Sequence, residues 1–393
     1  MTTQAETNTA KRKNSVVGVL TFFLLIIAVS VMAFAVYLKT IGYEFENFNI
    51  KQAVTYAREH IQKPLSETSN DISFSQDGNT DCKVYKGNTI LLSQDGIKWY
   101  DKTGKLLQEK ALTMTRPAIR TSKKYMAIID ISGRDIYFFK DKTQLWTKKL
   151  GNQIINADVS EDGYFTVITQ SKEYKSEVLV FDVNGADVYK KYYAEDIVLG
   201  AKSLNEGEEV LINKVITKSI KAGTEFEFNS VYEEKPLATV SISENVFPIT
   251  IAMGKNVAAV GQNLVVLMDD QGKELWRKGA ESIFCVAPDS NKYVILAGKF
   301  AAADGDIEQK VLILNTKGEE VFSFKQPESI SGMSLYEDRL MLRTQRSIYI
   351  YSLKGQKLGH HIARNEIKDA YMVGSNKVIV VTGGNISLVE IKG

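Results

Sequence analysis

The sequence predicts an all-β fold, a β-propeller of eight blades with seven as the alternative, carried on a single N-terminal transmembrane helix. Three observations predict it. One charge-free apolar run sits near the start, a strand–turn–strand unit recurs at a near-constant interval from residue 80 onward, and no long helical period follows residue 70. With 44% apolar and 24% charged residues, the 393-residue chain has the composition of a folded protein.

The chain begins with a polar tail, residues 1–15, holding Lys11, Arg12 and Lys13. Residues 16–38, Val16 to Leu38, contain no charge and exceed the roughly 20 apolar residues that a spanning helix needs. A cleaved signal peptide competes with this reading, because Ala33-Phe34-Ala35 has the small-x-small form of a cleavage site. The apolar stretch is nevertheless longer than the about 7–15 residues of a secretory core, which favours an uncleaved anchor. The basic cluster precedes the span and Glu44 and Glu46 follow it, so the expected topology is single-pass at the cell membrane, with a cytoplasmic N-terminus and an extracytoplasmic C-terminal portion.

Residues 39–70 read as a juxtamembrane linker. Asn49 is placed to cap a short amphipathic helix over 49–63, with Gln52 at the reciprocal capping position. Ile50, Ala53, Val54, Ala57 and Ile61 recur at helical spacing, and Lys51, Arg58 and Glu59 take the other face. Packing against its own domain is the plain reading of that stripe; self-association or lying on the membrane surface is the sharper one. Pro64 ends the segment and Ser66 to Asn70 form a polar spacer.

Residues 71–393 form the predicted extracytoplasmic propeller. Its repeating element is an apolar strand, a turn of the form Asp/Asn-x-x-Gly, and a second strand. It appears at Trp99–Leu106, Val180–Gly185, Leu267–Trp276, Leu314–Gly318 and Tyr351–Gly355, with a glycine-free copy at Phe139–Trp146. The first side chain of such a turn bonds the backbone two residues on, and the glycine supplies the positive φ that returns the chain. Copies recur every ~37–46 residues, with one double interval hiding a diverged unit near Glu233-Glu234-Lys235-Pro236; four-stranded blades have this period. The rhythm marks off units at 80–112, 115–150, 153–193, 196–243, 246–279, 281–326, 329–363 and 366–393. The last holds only three strands, at 369–373, 377–382 and 386–391. Ile72-Ser73-Phe74-Ser75 is placed to supply the missing outer strand and close the ring, which removes two exposed edges.

The strand–Asp-x-x-Gly-Lys-x-x-Trp pattern, clearest at Leu267–Trp276 and Tyr100–Leu107, resembles the quinoprotein-type propeller repeat, which also occurs in non-enzymatic scaffolds. The whole arrangement of basic tail, span and propeller resembles a family of membrane-anchored proteins of unknown function from Gram-positive anaerobes. The resemblance implies a propeller from about residue 80. It does not carry the quinone cofactor over, because that chemistry needs adjacent cysteines and this chain has only Cys82 and Cys285.

Motifs of chemistry are scarce. No nucleophile elbow, phosphate loop or zinc-binding helix is present. The expectation is therefore no catalytic, cofactor-binding or metal residues and no cofactor. His360 and His361 are neighbours on a strand, point to opposite faces and read as a solvated strand end. Asp304, Asp306 and Glu308 lack the order of a calcium loop and read as a hairpin tip. Trp99, Trp146 and Trp276 read as packing between blades. Cys82 and Cys285 read as buried free thiols, with a bridge between them as the alternative. Beyond residue 38 basic and acidic residues are equal in number, which argues against a nucleic-acid partner.

Two functions are consistent with this reading. The first is a non-catalytic scaffold binding a protein, peptide or envelope component. The alternative is an extracytoplasmic polysaccharide hydrolase or lyase using inner-strand carboxylates such as Asp81, Asp158 and Asp369.

Overall fold

A computed structural model describes residues 6–40, 45, 48–51, 53, 54, 57, 71–75, 80–216, 222–287, 292–302, 305–326 and 328–391. The chain divides into two compact units, 1–63 and 64–393.

In the first unit, helix α1 runs from Glu6 to Thr40, and its stretch Gly18–Lys39 is long and apolar enough to cross a membrane. Asn49 does cap the next helical residues: its side-chain oxygen accepts from Lys51 N at 2.9 Å and its carbonyl from Ala53 N at 2.8 Å. The expected partners Gln52, Arg58, Glu59 and Ile61, the terminating Pro64 and the spacer Ser66 to Asn70 lie outside the described residues.

The second unit is an eight-bladed propeller, so the seven-bladed alternative falls away. Each blade is a four-stranded antiparallel sheet, and in blades 1 to 7 the strands run in chain order from the centre outward; in blade 8 three C-terminal strands are followed, outermost, by Ile72–Ser73. The innermost strands are Asp81–Tyr85, Pro117–Thr121, Gln153–Val159, Ile197–Leu204, Ile249–Met253, Ser282–Val286, Gly332–Tyr336 and Ile367–Met372, for blades 1 to 8. The units marked off by the turn rhythm fall on these blades to within a few residues, and Glu233–Pro236 is the outer turn of blade 4.

The repeated turn forms as its chemistry dictates. Asp101, Asp182, Asp269 and Asn315 each accept, through Oδ1, from the backbone N two residues on and again four residues on, at 2.7–3.0 Å. Ser352 does the same through Oγ at 3.2–3.3 Å. The glycine that follows sits at φ between +73° and +82° in all five copies. The turn also locks neighbouring blades together. The indole of Trp146 donates to the carbonyl of Val183 at 3.1 Å, and a side chain at Gly185 would lie 3.0 Å from its ring. Trp276 repeats this at the seam of blades 5 and 6, donating to Thr316 O at 3.1 Å beside Gly318. Trp99 is buried between blades 1 and 2, edge-on to Phe139 at 5.7 Å. All three tryptophans are therefore packing residues.

Eight apolar clusters fill the eight seams between blades. The ring closes as the missing strand required. Ile72–Ser73 pairs antiparallel with Asn385–Glu390, Ile72 opposite Ile386 and Ser73 opposite Asn385. Phe74 N donates to Gly384 O at 3.0 Å, and Asn385 Nδ2 to Asp71 at 2.9 Å. Ile72 is buried in the cluster that joins blade 8 to Cys82 and Leu91 of blade 1.

The seam of blades 3 and 4 adds an ionic network to its apolar cluster. Lys214 Nζ reaches Asp196 at 3.0 Å, Glu225 at 2.9 Å and Glu227 at 2.7 Å; Lys191 reaches Glu227 and Asn229, each at 2.8 Å. Burial pushes the Glu227 carboxyl up, but bonds from Lys191, Lys214 and the Tyr193 hydroxyl outweigh it and hold the group below its usual range.

The histidine pair is corrected. His360 stacks on Tyr349 at 6.0 Å, but His361 is buried rather than solvated, and its Nδ1 has no hydrogen-bond partner among the described residues. Burial, with a smaller contribution from the His360 charge, lowers the His361 pKa to about 4. The neutral ring is thus favoured in the fold. Its contribution is complete above the unfolded value near 6.5 and is lost as pH falls toward about 4. Denaturant unfolding of the soluble domain should lose about 3 kcal/mol through this group between pH 6.5 and 4. His361→Phe should lose measurably less over the same interval, and an unchanged acid profile in that variant would refute the assignment.

Candidate functional site

The first strands of the blades ring a central channel, and all enter from the same mouth. Asp81, Asp158 and Asp369 do lie on these strands, as the sequence suggested. Each is engaged. Asp158 pairs with Lys202 at 2.6 Å across the seam of blades 3 and 4. Asp369 lies 3.7 Å from Lys83 Nζ and 3.8 Å from Arg343 Nε, and the Tyr371 hydroxyl bonds it. Lys83 donates to Tyr371 at 3.0 Å. Asp81 accepts from Ile119 N of blade 2 at 2.8 Å. Burial raises the Asp81 pKa against the pull of that bond and of Lys83 and Arg120. Arg120 donates to Ala157 O at 3.0 Å and to Asn156 Oδ1 at 3.2 Å. The charged groups thus form an arc over blades 8, 1, 2, 3 and 4, cross-linking neighbouring inner strands.

Blades 5 to 7 complete the wall without charge on their inner strands. Blades 5 and 6 present apolar side chains at the entry mouth. Inner strands of blades 3, 4, 6 and 8 carry a bulge at Ile155, Leu199, Phe284 and Lys368, one extra residue that re-aims a side chain. Ile155, Ile197, Ile249 and Phe284, from four consecutive blades, stand 43–48% exposed there. The seam between the inner strands of blades 5 and 6 is the loosest of the eight. A cleft of about 330 Å³ opens at it, lined by Val246, Pro248, Ile249, Ile283, Phe284 and Cys285 among others.

Hairpin lengths shape this place. The middle hairpin of blade 5 is built of Asn256–Val260 and Leu264–Met268, whereas those of its neighbours use Glu209–Ile216 with Gly223–Ser230, and Tyr293–Ala301 with Ile307–Asn315. Blade 5 is therefore a low point between two taller walls. At the neighbouring seam of blades 7 and 8, Arg343 donates to Ser331 O at 3.0 Å and Ile367 O at 3.3 Å. A side chain at Gly332 would lie 2.8 Å from the Arg343 guanidinium, so glycine is what lets that cation reach the rim.

Both cysteines are free thiols. Cys82 is buried, and its pKa is pushed up to about 12 by burial and by Asp81 and Asp369. Cys285 departs from expectation, being only partly buried in the cleft wall. Among the described residues no cluster of three or more His, Cys, Asp or Glu could hold a metal. Asp304 lies outside those residues, and Glu308 pairs with Lys325 at 2.7 Å.

A family model, described as a family of unknown function (DUF5711), matches residues 62–391. The chain belongs to the DUF5711 family. That match covers the propeller and its closing strand. No curated protein sequence matches this DUF5711 chain. Among solved structures it is similar to Sqt1 of Saccharomyces cerevisiae, at 10% identity and a TM-score of 0.60, over 84% of this chain and 100% of that one. It is also similar to the C-terminal WD40 domain of Sif2, at 12% identity and TM-score 0.59, over 84% and 98%. BamB from Moraxella catarrhalis matches at 14% identity and TM-score 0.52, over 84% and 97%. At these identities the likeness establishes the fold alone.

Proposed function

We propose that this DUF5711 protein is a membrane-anchored, extracytoplasmic scaffold that binds a protein or peptide at the apolar mouth of its propeller, without catalysis. The observation that carries the reading is the exposed patch of Ile249 and Phe284 beside the blade 5–6 cleft. Monomeric domains rarely leave large apolar side chains clustered in a concavity unless something covers them. The rigid blades hold the loops around it in place, as a recognition surface requires. Support for a non-catalytic role comes from the carboxylates, since Asp158 and Asp369 are tied into ion pairs and Asp81 into a backbone bond. The apolar helix and its basic flank support anchoring with the propeller outside.

A photoreactive phenylalanine analogue placed at Phe284 or Ile249 in the full chain, in intact cells, tests this. The expected result is one adduct of the same mass from both positions and none from Tyr232, in an exposed turn on the opposite face. External protease should degrade that adduct. No adduct from the mouth, or an equal one from Tyr232, would refute the site; an adduct shielded from protease would refute the orientation.

A further inference from the structure

On the face opposite the mouth lie the turns that join the first and second strands of each blade, and those that join the third and fourth. Over blades 1 to 4 their charges are segregated. The turns of blades 1 and 2 expose Lys86, Lys102, Lys105, Lys123, Lys124 and Lys142. The carboxylates among them, Asp101 and Asp141, are both engaged. Asp101 accepts from the backbone N of Thr103 and Lys105 in its own turn, and Asp141 pairs with Lys86. Lys102, Lys105, Lys123, Lys124 and Lys142 make no ion pair among the described residues.

Blades 3 and 4 reverse the sign. The same turns there expose Glu161, Asp162, Glu206, Glu208, Glu233 and Glu234, and among the described residues of those turns Lys235 alone opposes them. The two sectors abut where Lys123 N of blade 2 donates to the Glu161 carboxylate of blade 3 at 3.1 Å. At physiological ionic strength exposed charges act over about 8 Å, so a surface resting on that seam meets both signs. The outer turns of blades 1 and 2 avoid this conflict. Lys102 and Lys105 belong to blade 1, and Lys142 stands beside the blade 1 turn whose Lys86 reaches Asp141.

We propose that the outer turns of blades 1 and 2, with Lys102, Lys105 and Lys142, are a docking surface for anionic lipid headgroups. Docking there lays one edge of the propeller on the bilayer and lifts blades 3 and 4 from it. The proposal rests on the reading of Gly18–Lys39 as a membrane span, and holds whichever side the propeller occupies. Lipid is the partner because the chain itself keeps a bilayer within reach. Asp71, at the start of the propeller, follows Lys39 by 32 residues, a tether of at most about 110 Å. An anionic surface attracts clustered lysines within a Debye length and repels carboxylates over the same distance. The basic sector therefore holds and the acidic sector tilts, and together they fix an orientation that neither would fix alone. The mouth, on the opposite face, is turned away from the bilayer.

Energy transfer in proteoliposomes of the full chain tests this. With Cys285→Ser as background and buried Cys82 left in place, a donor dye is attached through Thr143→Cys beside Lys142, Tyr232→Cys in blade 4, or Gln262→Cys at the mouth. Headgroups of both leaflets carry the acceptor. In phosphatidylcholine with phosphatidylglycerol, transfer should be strongest from position 143. That excess should vanish in phosphatidylcholine alone, and in about 1 M salt, where charges reach only about 3 Å. Lys102→Gln, Lys105→Gln and Lys142→Gln together should also abolish it, with the melting temperature unchanged. Equal transfer from the three positions, or an excess indifferent to phosphatidylglycerol and salt, would overturn the proposal and leave the span intact. Release of the chain from the vesicles by alkaline carbonate would overturn both. Transfer from position 143 to acceptor-labelled copies of the chain, and not to lipid, would replace lipid with a second copy.

Discussion

A soluble chain beginning at residue 80 should melt well below one beginning at residue 66, and should aggregate at concentrations where the longer chain stays monomeric. The difference between the two is the strand Ile72–Ser73 and its flanks. Burial of Ile72 contributes about 2 kcal/mol. Each of the hydrogen bonds to Gly384, Asn385 and Ile386 adds about 1 kcal/mol. Aggregation adds to the loss, because the outer strand Asn385–Glu390 would be left with an unpaired apolar edge. Truncation after Ile367 should be more severe, since it removes all but the first residue of Ile367–Met372 together with Lys377–Thr382 and Asn385–Glu390, three strands in all, and opens the ring. The measurement is a pair of thermal melts with light scattering at equal concentration. Identical melting and solubility of the chains starting at 66 and 80 would show that the strand does not hold the ring shut.

Lys214→Met should cost about 3 kcal/mol, because it takes the cation from Asp196 and Glu225 and leaves buried Glu227 with Lys191 and the Tyr193 hydroxyl alone. Glu227 then loses one of the bonds that keeps it ionised, and its pKa should climb toward and above the ordinary carboxylate value. The pH dependence changes accordingly. In the wild type the depressed Glu227 pKa contributes stability above the unfolded value near 4.5, lost as pH falls through the lower folded value. The variant should have lost that contribution already at neutral pH. Combining Lys214→Met with Glu227→Leu should not restore wild-type stability, since Lys191 then loses its carboxylate while Asp196 and Glu225 still lack Lys214. Urea unfolding of the three proteins at pH 7 measures this; a Lys214→Met protein as stable as wild type would show that the seam is held by its apolar cluster alone.

The propeller was legible because its turn chemistry is local. Asp101, Asp182, Asp269, Asn315 and Ser352 act on backbone two to four residues away, and each glycine is needed for its own φ, so the signal survives in a single sequence. Closure by Ile72–Ser75 was legible by counting, since the last unit lacked a strand. The candidate site was not. A bulge such as that at Phe284 depends on register against a neighbouring strand, and no composition marks it. The low wall of blade 5 is a comparison among three hairpins. The burial of His361 was missed because alternation along a strand shows that two neighbours face opposite ways, but not which face is covered. The ionic seam is likewise assembled from Lys191, Asp196, Lys214 and Glu227, which no short spacing connects. The inner-strand carboxylates were placed correctly, yet their partners Lys202, Lys83 and Arg343 come from other strands and became visible only in the folded ring.

The closing strand also sets a schedule for biogenesis. Ile72 is among the first residues of the propeller to be synthesised, and its partner Ile386 among the last. At synthesis rates of roughly 5–20 residues per second, the strand waits about 15–60 s for the edge it will cover. Throughout that interval the ring is open, and blade 1 lacks the neighbour that completes its seam. Seven blades can stack in the order in which they emerge, but the eighth joins Ile72–Ser73 to Asn385–Glu390 and forms only after residue 390 has emerged. Interrupted synthesis therefore leaves an open arc with an unpaired strand at one end and an uncovered sheet edge.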